Sequence, residues 1–209
     1  MIGLKLVDPF SKIEKDIKKG LVIELNSLLD KNRDRATKRL KTNIAYWVSV
    51  QPEMESLKAS SVPYSLNSVF GINSNADGIV QTIANSVANS IKIDFTRIDK
   101  NFKGGITFNV QPESFQNLLG LQSGHVITEN GSDLHWLNWL LTAGDSVVVA
   151  GYQYDASGAG RSGVGSMVGG GSFRVPPQFS GTISDNFVSR AFVGKQREII
   201  NIISKEVFR

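Results

Sequence analysis

Three glycines in one segment have the spacing of a nucleotide-binding fingerprint. Gly158, Gly160 and Gly163 form a G-x-G-x-x-G pattern directly after the apolar run 146–154, which predicts a β-strand. A dinucleotide site also needs a helix that opens at these glycines, because its N-terminal amides hold the pyrophosphate. Four more glycines follow Gly163 by position 171, and each costs a helix about 1 kcal/mol relative to alanine. The segment therefore predicts no phosphate site, and we expect no cofactor.

Residue types suited to catalysis are also scarce. The chain has no cysteine and two histidines, His125 and His135, ten positions apart. A zinc site needs three or four ligands at suitable spacing, and no H-E-x-x-H motif is present. Ser162 lies between two glycines with no base indicated beside it. We therefore expect a protein that is not an enzyme and holds no metal.

The N-terminal half has the apolar spacing of helices. Apolar residues recur every three or four positions from Phe10 to Trp47 and predict a long helix, with Gly20 and residues 30–35 as candidate breaks. Pro52 is expected to end this helix. A second helix is predicted over Ala76–Ser90, where Ile79, Ile83, Val87 and Ile91 form one stripe.

From residue 91 onward, the spacing of apolar residues changes from helical to alternating. Residues 91–96 and 106–110 alternate apolar with polar side chains, which predicts two strands joined by a hairpin loop. Short helices are predicted in 113–121 and 133–141, a strand in 146–154, and a further strand in 163–168 or 171–177. A C-terminal helix is predicted over 184–207 with Ser184 or Asp185 as N-cap.

These elements predict an α+β fold in which a small antiparallel sheet packs against long N- and C-terminal helices. We expect a single domain over residues 1–209, with a helical part at about 9–91, a sheet and loop part at about 92–182, and the C-terminal helix at about 184–207. No apolar stretch is long enough for a signal peptide or a membrane span, so no membrane association is expected.

The net charge of +4 is concentrated near the start of the chain. Residues 11–50 contain ten Lys or Arg and five Asp or Glu. Such a helix is usually a solvated face of mixed charge, but a basic face can also contact nucleic acid. A nucleic-acid-binding module therefore stays open as an alternative function.

The glycine-rich segment is better explained by conformation than by chemistry. Seven of the fourteen residues 158–171 are glycine, which allows unusual backbone angles and close approach of a second chain. An extended glycine-rich loop is therefore predicted, ordered against a neighbouring subunit. Nine residues are expected to form subunit contacts, with the glycine allowing close backbone approach, the arginines forming ion pairs and the apolar side chains acting as anchors. They are Arg161, Ser162, Gly163, Phe173, Arg174, Val175, Pro176, Pro177 and Phe179.

Four motifs mark the C-terminal half: Gly144-Asp145 before a strand, Arg161-Ser162-Gly163 in a loop, the segment "VPPQFSGT" at 175–182, and "DNFVSRA" at 185–191. Through these motifs, the chain over about Leu134–Ala191 resembles the tail-completion or neck proteins of tailed bacteriophages. Such proteins form a ring, commonly of six copies, between the head connector and the tail tube.

The resemblance implies a structural virion protein at the head–tail junction, made in the host cytoplasm. Its implied partners are its own copies, commonly six, the head connector or adaptor, and the tail tube or terminator, with packaged DNA nearby. A tail terminator that caps the tail tube has similar architecture and stays open as an alternative.

Overall fold

A computed structural model describes residues 8–72, 75–109, 115–128 and 131–208. About 51% of the chain is helical and 16% is strand, in small antiparallel sheets. These proportions and the long N-terminal helix confirm the predicted α+β class. The strands form three separate two-stranded sheets among the described residues.

The chain groups into two compact units, and neither is continuous in sequence. The first unit contains the chain up to Leu40, Lys92–Asn109 and the chain from Ile199; the second contains Lys41–Ile91 and Val110–Glu198. The single-domain organisation stays a prediction.

Helix α1, Phe10–Ser49, is unbroken over 40 residues. It passes through Gly20 and through residues 30–35, the two candidate breaks. A Cβ atom at Gly20 would meet nothing within 4 Å, so this glycine serves no visible packing need. Helical periodicity on both sides therefore outweighs the local cost of one glycine.

In the first unit, a β-hairpin packs against helices. Strands β1, Lys92–Thr96, and β2, Gly105–Asn109, pair antiparallel from Lys92 opposite Asn109 to Thr96 opposite Gly105. The partly buried side chains Phe95 and Ile106 lie against a buried cluster of Leu29, Ala36 and Val207. The predicted hairpin and its packing on helices are confirmed; Val110 lies outside the described residues.

In the second unit, three helices follow α1. Pro52 begins α2, Pro52–Lys58, because proline suits the first turn, where its missing N–H costs no hydrogen bond. Helix α3 is Leu66–Phe70, and α4 is Ala76–Ser90, as the sequence predicts. The buried side chains of α4 include Ile83 and Val87 from the predicted stripe.

The rest of the second unit is made of short elements. Helix α5 is Gln116–Leu119, a 3-10 turn is Gln122–Gly124, and β3, Val126–Ile127, pairs antiparallel with β4, Asp133–Leu134. Helix α6, Trp136–Asn138, continues as a π-helical turn over Trp139–Ala143, with both Leu140 and Leu141 fully buried. The start of the helix predicted over 113–121 lies outside the described residues.

The C-terminal helix differs from the prediction. Two helices are present, α7, Phe187–Arg190, and α8, Gln196–Val207. They are separated by a turn in which Gly194 has a φ of +73°, a left-handed conformation that ends helices. The N-cap is Asn186 rather than Ser184 or Asp185, and it forms a capping box with Ser189.

The glycine-rich segment matches the prediction in part. Residues 156–165 form the predicted loop, while Ser166–Phe173 forms strand β6, which overlaps both ranges predicted for a further strand, 163–168 and 171–177. Strand β6 pairs antiparallel with β5, Val149–Asp155, which covers most of the strand predicted over 146–154. The pairing register shifts between Ala150 and Tyr152, and Gly151, Gly170 and Gly171 have positive φ. Glycine in a strand often marks such an irregularity. We call the β5–β6 pair, Val149–Phe173, the ribbon.

Candidate functional site

The loop of the ribbon is held by its own backbone. The amide of Gly160 donates to the carbonyl of Gly165 over 2.7 Å, and the amide of Gly165 donates to the carbonyl of Gly158, also over 2.7 Å. Asp155 Oδ1 accepts hydrogen bonds from both the amide and the hydroxyl of Ser157, which lowers the pKa of Asp155. The glycines therefore build a compact double turn within one chain.

Close contact with Tyr154 explains one of these glycines. Gly165 is buried, has a φ of +71°, and a Cβ atom there would lie 2.0 Å from Tyr154 Oη. Tyr154 in turn donates from Oη to Ser68 Oγ over 2.9 Å, and its ring meets Tyr64 edge-on at 5.4 Å. This glycine is needed for packing inside the second unit.

An apolar cavity of about 350 Å³ lies against the ribbon in the second unit. Its lining includes Phe70 of α3, Trp136 and Trp139 at the π-helical turn, and three ribbon side chains: Tyr152, Tyr154 and Met167. We call it the aromatic cavity. Its volume is within the range of about 300–1,000 Å³ found for ligand pockets.

The walls of the aromatic cavity are fixed by ring contacts. Phe70 stacks on Trp136 with centroids 5.6 Å apart and meets Trp139 at 5.9 Å. Trp139 meets Phe173 at 6.3 Å. Because ring contacts and the burial of Phe70 and Trp136 restrict side-chain motion, the cavity has a preformed wall.

Arg161 borders this cavity and a second one. Its Nη1 donates to the carbonyl of Ile127 over 2.9 Å, which ties the ribbon loop to β3. The second cavity, about 470 Å³, also borders Trp136 and Ser123. Trp136 Nε1 and Ser123 Oγ are buried with no hydrogen-bond partner in the described part of the chain. The region thus combines apolar walls, unpaired donors and a cation.

The nine residues predicted for subunit contacts lie in or beside the ribbon, but their exposure differs. Arg161, Gly163, Arg174 and Pro177 are exposed, while Ser162, Pro176 and Phe179 are half-buried. Phe173 and Val175 are buried, with 5% and 0% of their surfaces exposed, so both side chains belong to the core of their own chain. Arg174 contacts Asp145, donating to its carbonyl and pairing with its carboxylate.

No pattern in the sequence predicts that the two histidines are in contact. Their rings stack with centroids 3.9 Å apart, and His125 Nδ1 lies 2.9 Å from Asp133. Burial lowers the pKa of His135, and His125 lowers it further, whereas Asp133 and the carbonyl of Leu119 raise it. Pairing across β3 and β4 brings them together, and spacing in the sequence does not encode that contact.

The described residues contain no group of three or more His, Asp or Glu side chains placed to hold a metal ion. In that same part of the chain, no helix has the length and apolar character needed to cross a membrane. Comparisons with protein-family models, curated proteins and solved structures found no match to this chain.

Proposed function

We propose that the protein is a structural, non-enzymatic subunit of the neck of a tailed bacteriophage, which assembles as a ring between head connector and tail tube. The sequence resemblance over about Leu134–Ala191 suggests the setting. The observation that carries assembly is the exposed ribbon. All of its residues from 150 to 153 and from 169 to 172 are exposed.

An exposed ribbon of two strands favours association with another chain. No third strand pairs with β5 or β6 among the described residues, so their outer edges offer unpaired backbone groups. An isolated pair of strands is marginally stable in water unless something covers it. Tyr152 and Met167 are also 49% and 37% exposed on this ribbon. An adjacent copy that covered the ribbon would pair with the free backbone groups at its edges and bury these side chains.

Immunogold electron microscopy tests the proposed location. Antibody against this protein is applied to purified particles from a culture that produces it, with preimmune serum as the control. We expect gold at the head–tail junction. Gold on capsid or tail tip, or unlabelled particles with the protein free in the lysate, would contradict the neck assignment.

A second candidate function is contact with nucleic acid through the first unit. A cleft of about 540 Å³ there is lined by Lys15, Lys18, Lys19 and Lys100, with Glu14 as the acid. Glu14 pairs with Lys18 over 2.6 Å, which leaves three lysines of the cleft in excess. Several lysine side chains around one cleft are suited to bind the phosphate backbone of a nucleic acid.

Salt dependence of binding tests this second function. We expect affinity for double-stranded DNA to fall steeply with salt through counterion release, and Lys15→Glu with Lys19→Glu to flatten that slope. Lys58→Glu is the control, because Lys58 lies in the second unit and pairs with Glu55. Equal salt slopes for the variant, the control and the wild type would exclude the cleft as the binding surface.

A further inference from the structure

We propose that the stacked rings of His125 and His135 form a pH-sensitive latch, which holds strands β3 and β4 together and opens when both rings carry a proton. Opening releases Arg161 of the ribbon loop from its contact with β3. The latch and the loop both lie in the second unit. This inference goes beyond the neck function and does not depend on it.

The two histidines are a cross-strand pair at the end of a very short sheet. The pairing of Val126–Ile127 with Asp133–Leu134 places His125 opposite His135 at the next position outward. The ring centroids are 3.9 Å apart and the ring planes differ by 20°. Because a two-stranded sheet is marginally stable by itself and this one has two residue pairs, the end pair contributes much of what holds β3 to β4.

The groups in contact with the latch balance one positive charge but not two. Both carboxylate oxygens of Asp133 lie 2.9 Å from His125 Nδ1, so this acid can balance one imidazolium. Burial and the neighbouring His125 lower the pKa of His135, against the raising effects of Asp133 and the carbonyl of Leu119. The second proton therefore binds only at acidic pH. It then places like charges directly opposite each other, which destabilises a pair of strands.

The elements around the latch bring further positive charge rather than a second acid. The cavity of about 470 Å³ that borders His125 is also lined by Arg161 and by Ile79 of α4. Asp77 of α4 is exposed and does not line this cavity. Helix α5, the 3-10 turn before His125 and helix α6 contain no charged residue. Among the described residues, Asp133 is therefore the acid available to offset the repulsion.

Opening of the latch has a defined consequence for the ribbon loop. Arg161 Nη1 donates to the carbonyl of Ile127 over 2.9 Å, and Ile127 is in β3, two residues after His125. When β3 separates from β4, this carbonyl moves and the guanidinium loses its acceptor. Arg161 is one of the nine residues predicted for subunit contacts, so acidification would free it to pair with a carboxylate outside its own chain.

Hydrogen exchange measured by NMR on the full chain tests the latch. The reporter is the amide of Thr128, which donates to the carbonyl of Ser132 over 2.9 Å, and the reference is the amide of Ile83 in α4. From pH 7 to pH 5, we expect the Thr128 amide to lose its protection while the Ile83 amide stays protected. In His135→Phe, which keeps a ring for stacking but has no group to protonate, the Thr128 amide should exchange at least about tenfold more slowly than in the wild type at pH 5.

Two results would overturn the latch. Equal exchange of Thr128 in the wild type and in His135→Phe at pH 5 would show that the histidine pair does not control β3 and β4. Simultaneous loss of protection at Ile83 would show that acid unfolds the whole unit instead. His135→Gln, which also has no group that titrates in this range, gives the same comparison if His135→Phe does not fold.

Trypsin cleavage after Arg161 tests the release of the loop. Rates are measured at pH 5.5 and divided by the rate for a short arginine peptide in the same reaction, which removes the pH dependence of trypsin. We expect the wild type to be cut at least about tenfold faster than His135→Phe, because proteolysis follows the population of the opened loop. Equal rates would refute the link between the latch and Arg161.

Discussion

His135 shows how burial at one residue makes the fold sensitive to pH. Its ring stacks on His125, its Nε2 is buried without a hydrogen-bond partner in the described chain, and its pKa is lowered. A histidine with a lowered pKa binds its proton more tightly in the unfolded chain than in the folded one. Stability is therefore full above the ordinary pKa of about 6.5 and is lost as pH falls below it.

We predict that His135→Phe reduces the pH dependence of stability between about pH 7 and pH 5, because the variant has no such group to titrate. Urea unfolding at several pH values gives the free energy of unfolding for both proteins. The wild type should lose more stability than the variant on acidification. Parallel curves would mean that His135 does not cause the loss.

Asn186 is the N-cap of α7, one residue after Asp185, one of the two caps that the sequence predicts. Its side chain accepts hydrogen bonds from the amides of Val188 and Ser189 and is fully buried. Ser184, a predicted cap, instead contacts Thr182 Oγ1 at 3.4 Å. Asn186 Nδ2 also donates to the carbonyl of Thr182 at 2.8 Å and to the carbonyl of Leu141 in the π-helical turn at 3.5 Å, and these bonds favour the cap at residue 186.

We predict that Asn186→Ala lowers the free energy of unfolding by about 1–3 kcal/mol, since it removes the cap and leaves buried backbone groups unpaired. Ser184→Ala should change it by less than about 0.5 kcal/mol. Chemical denaturation measures both variants. A larger loss for Ser184→Ala than for Asn186→Ala would place the cap where the sequence predicts it.

At the scale of elements, glycine has opposite roles in α1 and in the ribbon. Gly20 sits in a continuous helix with open space around its absent side chain. Gly165 has positive φ and lies against Tyr154. Only the second glycine is required by the fold.

We therefore predict that substitution by alanine changes stability in opposite directions at these two glycines. Gly20→Ala should stabilise α1 by about 0.5–1 kcal/mol, because alanine loses less backbone entropy in a helix. Gly165→Ala should destabilise the ribbon by more than about 1 kcal/mol through strain and overlap with the tyrosine ring. Thermal unfolding reports both shifts in Tm, and a gain in Tm for Gly165→Ala would refute the ribbon loop described above.

At the scale of the whole molecule, the two phenylalanines predicted to contact a neighbouring subunit differ in burial. Phe173 is 5% exposed and contacts Trp139, whereas Phe179 is half-buried. Truncating a buried phenylalanine costs about 3–5 kcal/mol, which is a large part of the stability of a domain. Loss of assembly after Phe173→Ser would therefore follow from loss of the fold.

We predict that Phe173→Ser lowers Tm strongly, while Phe179→Ser keeps a cooperative transition near that of the wild type and weakens self-association. Circular dichroism follows the first effect and sedimentation follows the second. If Phe179→Ser also unfolds the chain, Phe179 belongs to the core. If it changes neither property, Phe179 has no part in assembly.

The sequence by itself determined the elements whose signal is local. Helix α4, the β1–β2 hairpin and the α+β class follow from periods of 3.6 and 2, which depend on near neighbours in the chain. The nine predicted contact residues were drawn from composition and resemblance, so the sequence placed them together along the chain without separating exposed from buried.

Only the tertiary structure decided the features that need distant residues. Gly169 lies in a strand because it pairs with Tyr152 of β5, and Gly170 and Gly171 lie at the shift in register between Gly169 and Ser172, against the low strand propensity of glycine. The histidine stack depends on the pairing of β3 with β4, and the aromatic cavity depends on contacts between α3, the π-helical turn and the ribbon, which are far apart in sequence. Pairing and packing energies between such segments outweigh local preference, and no short window of residues contains them.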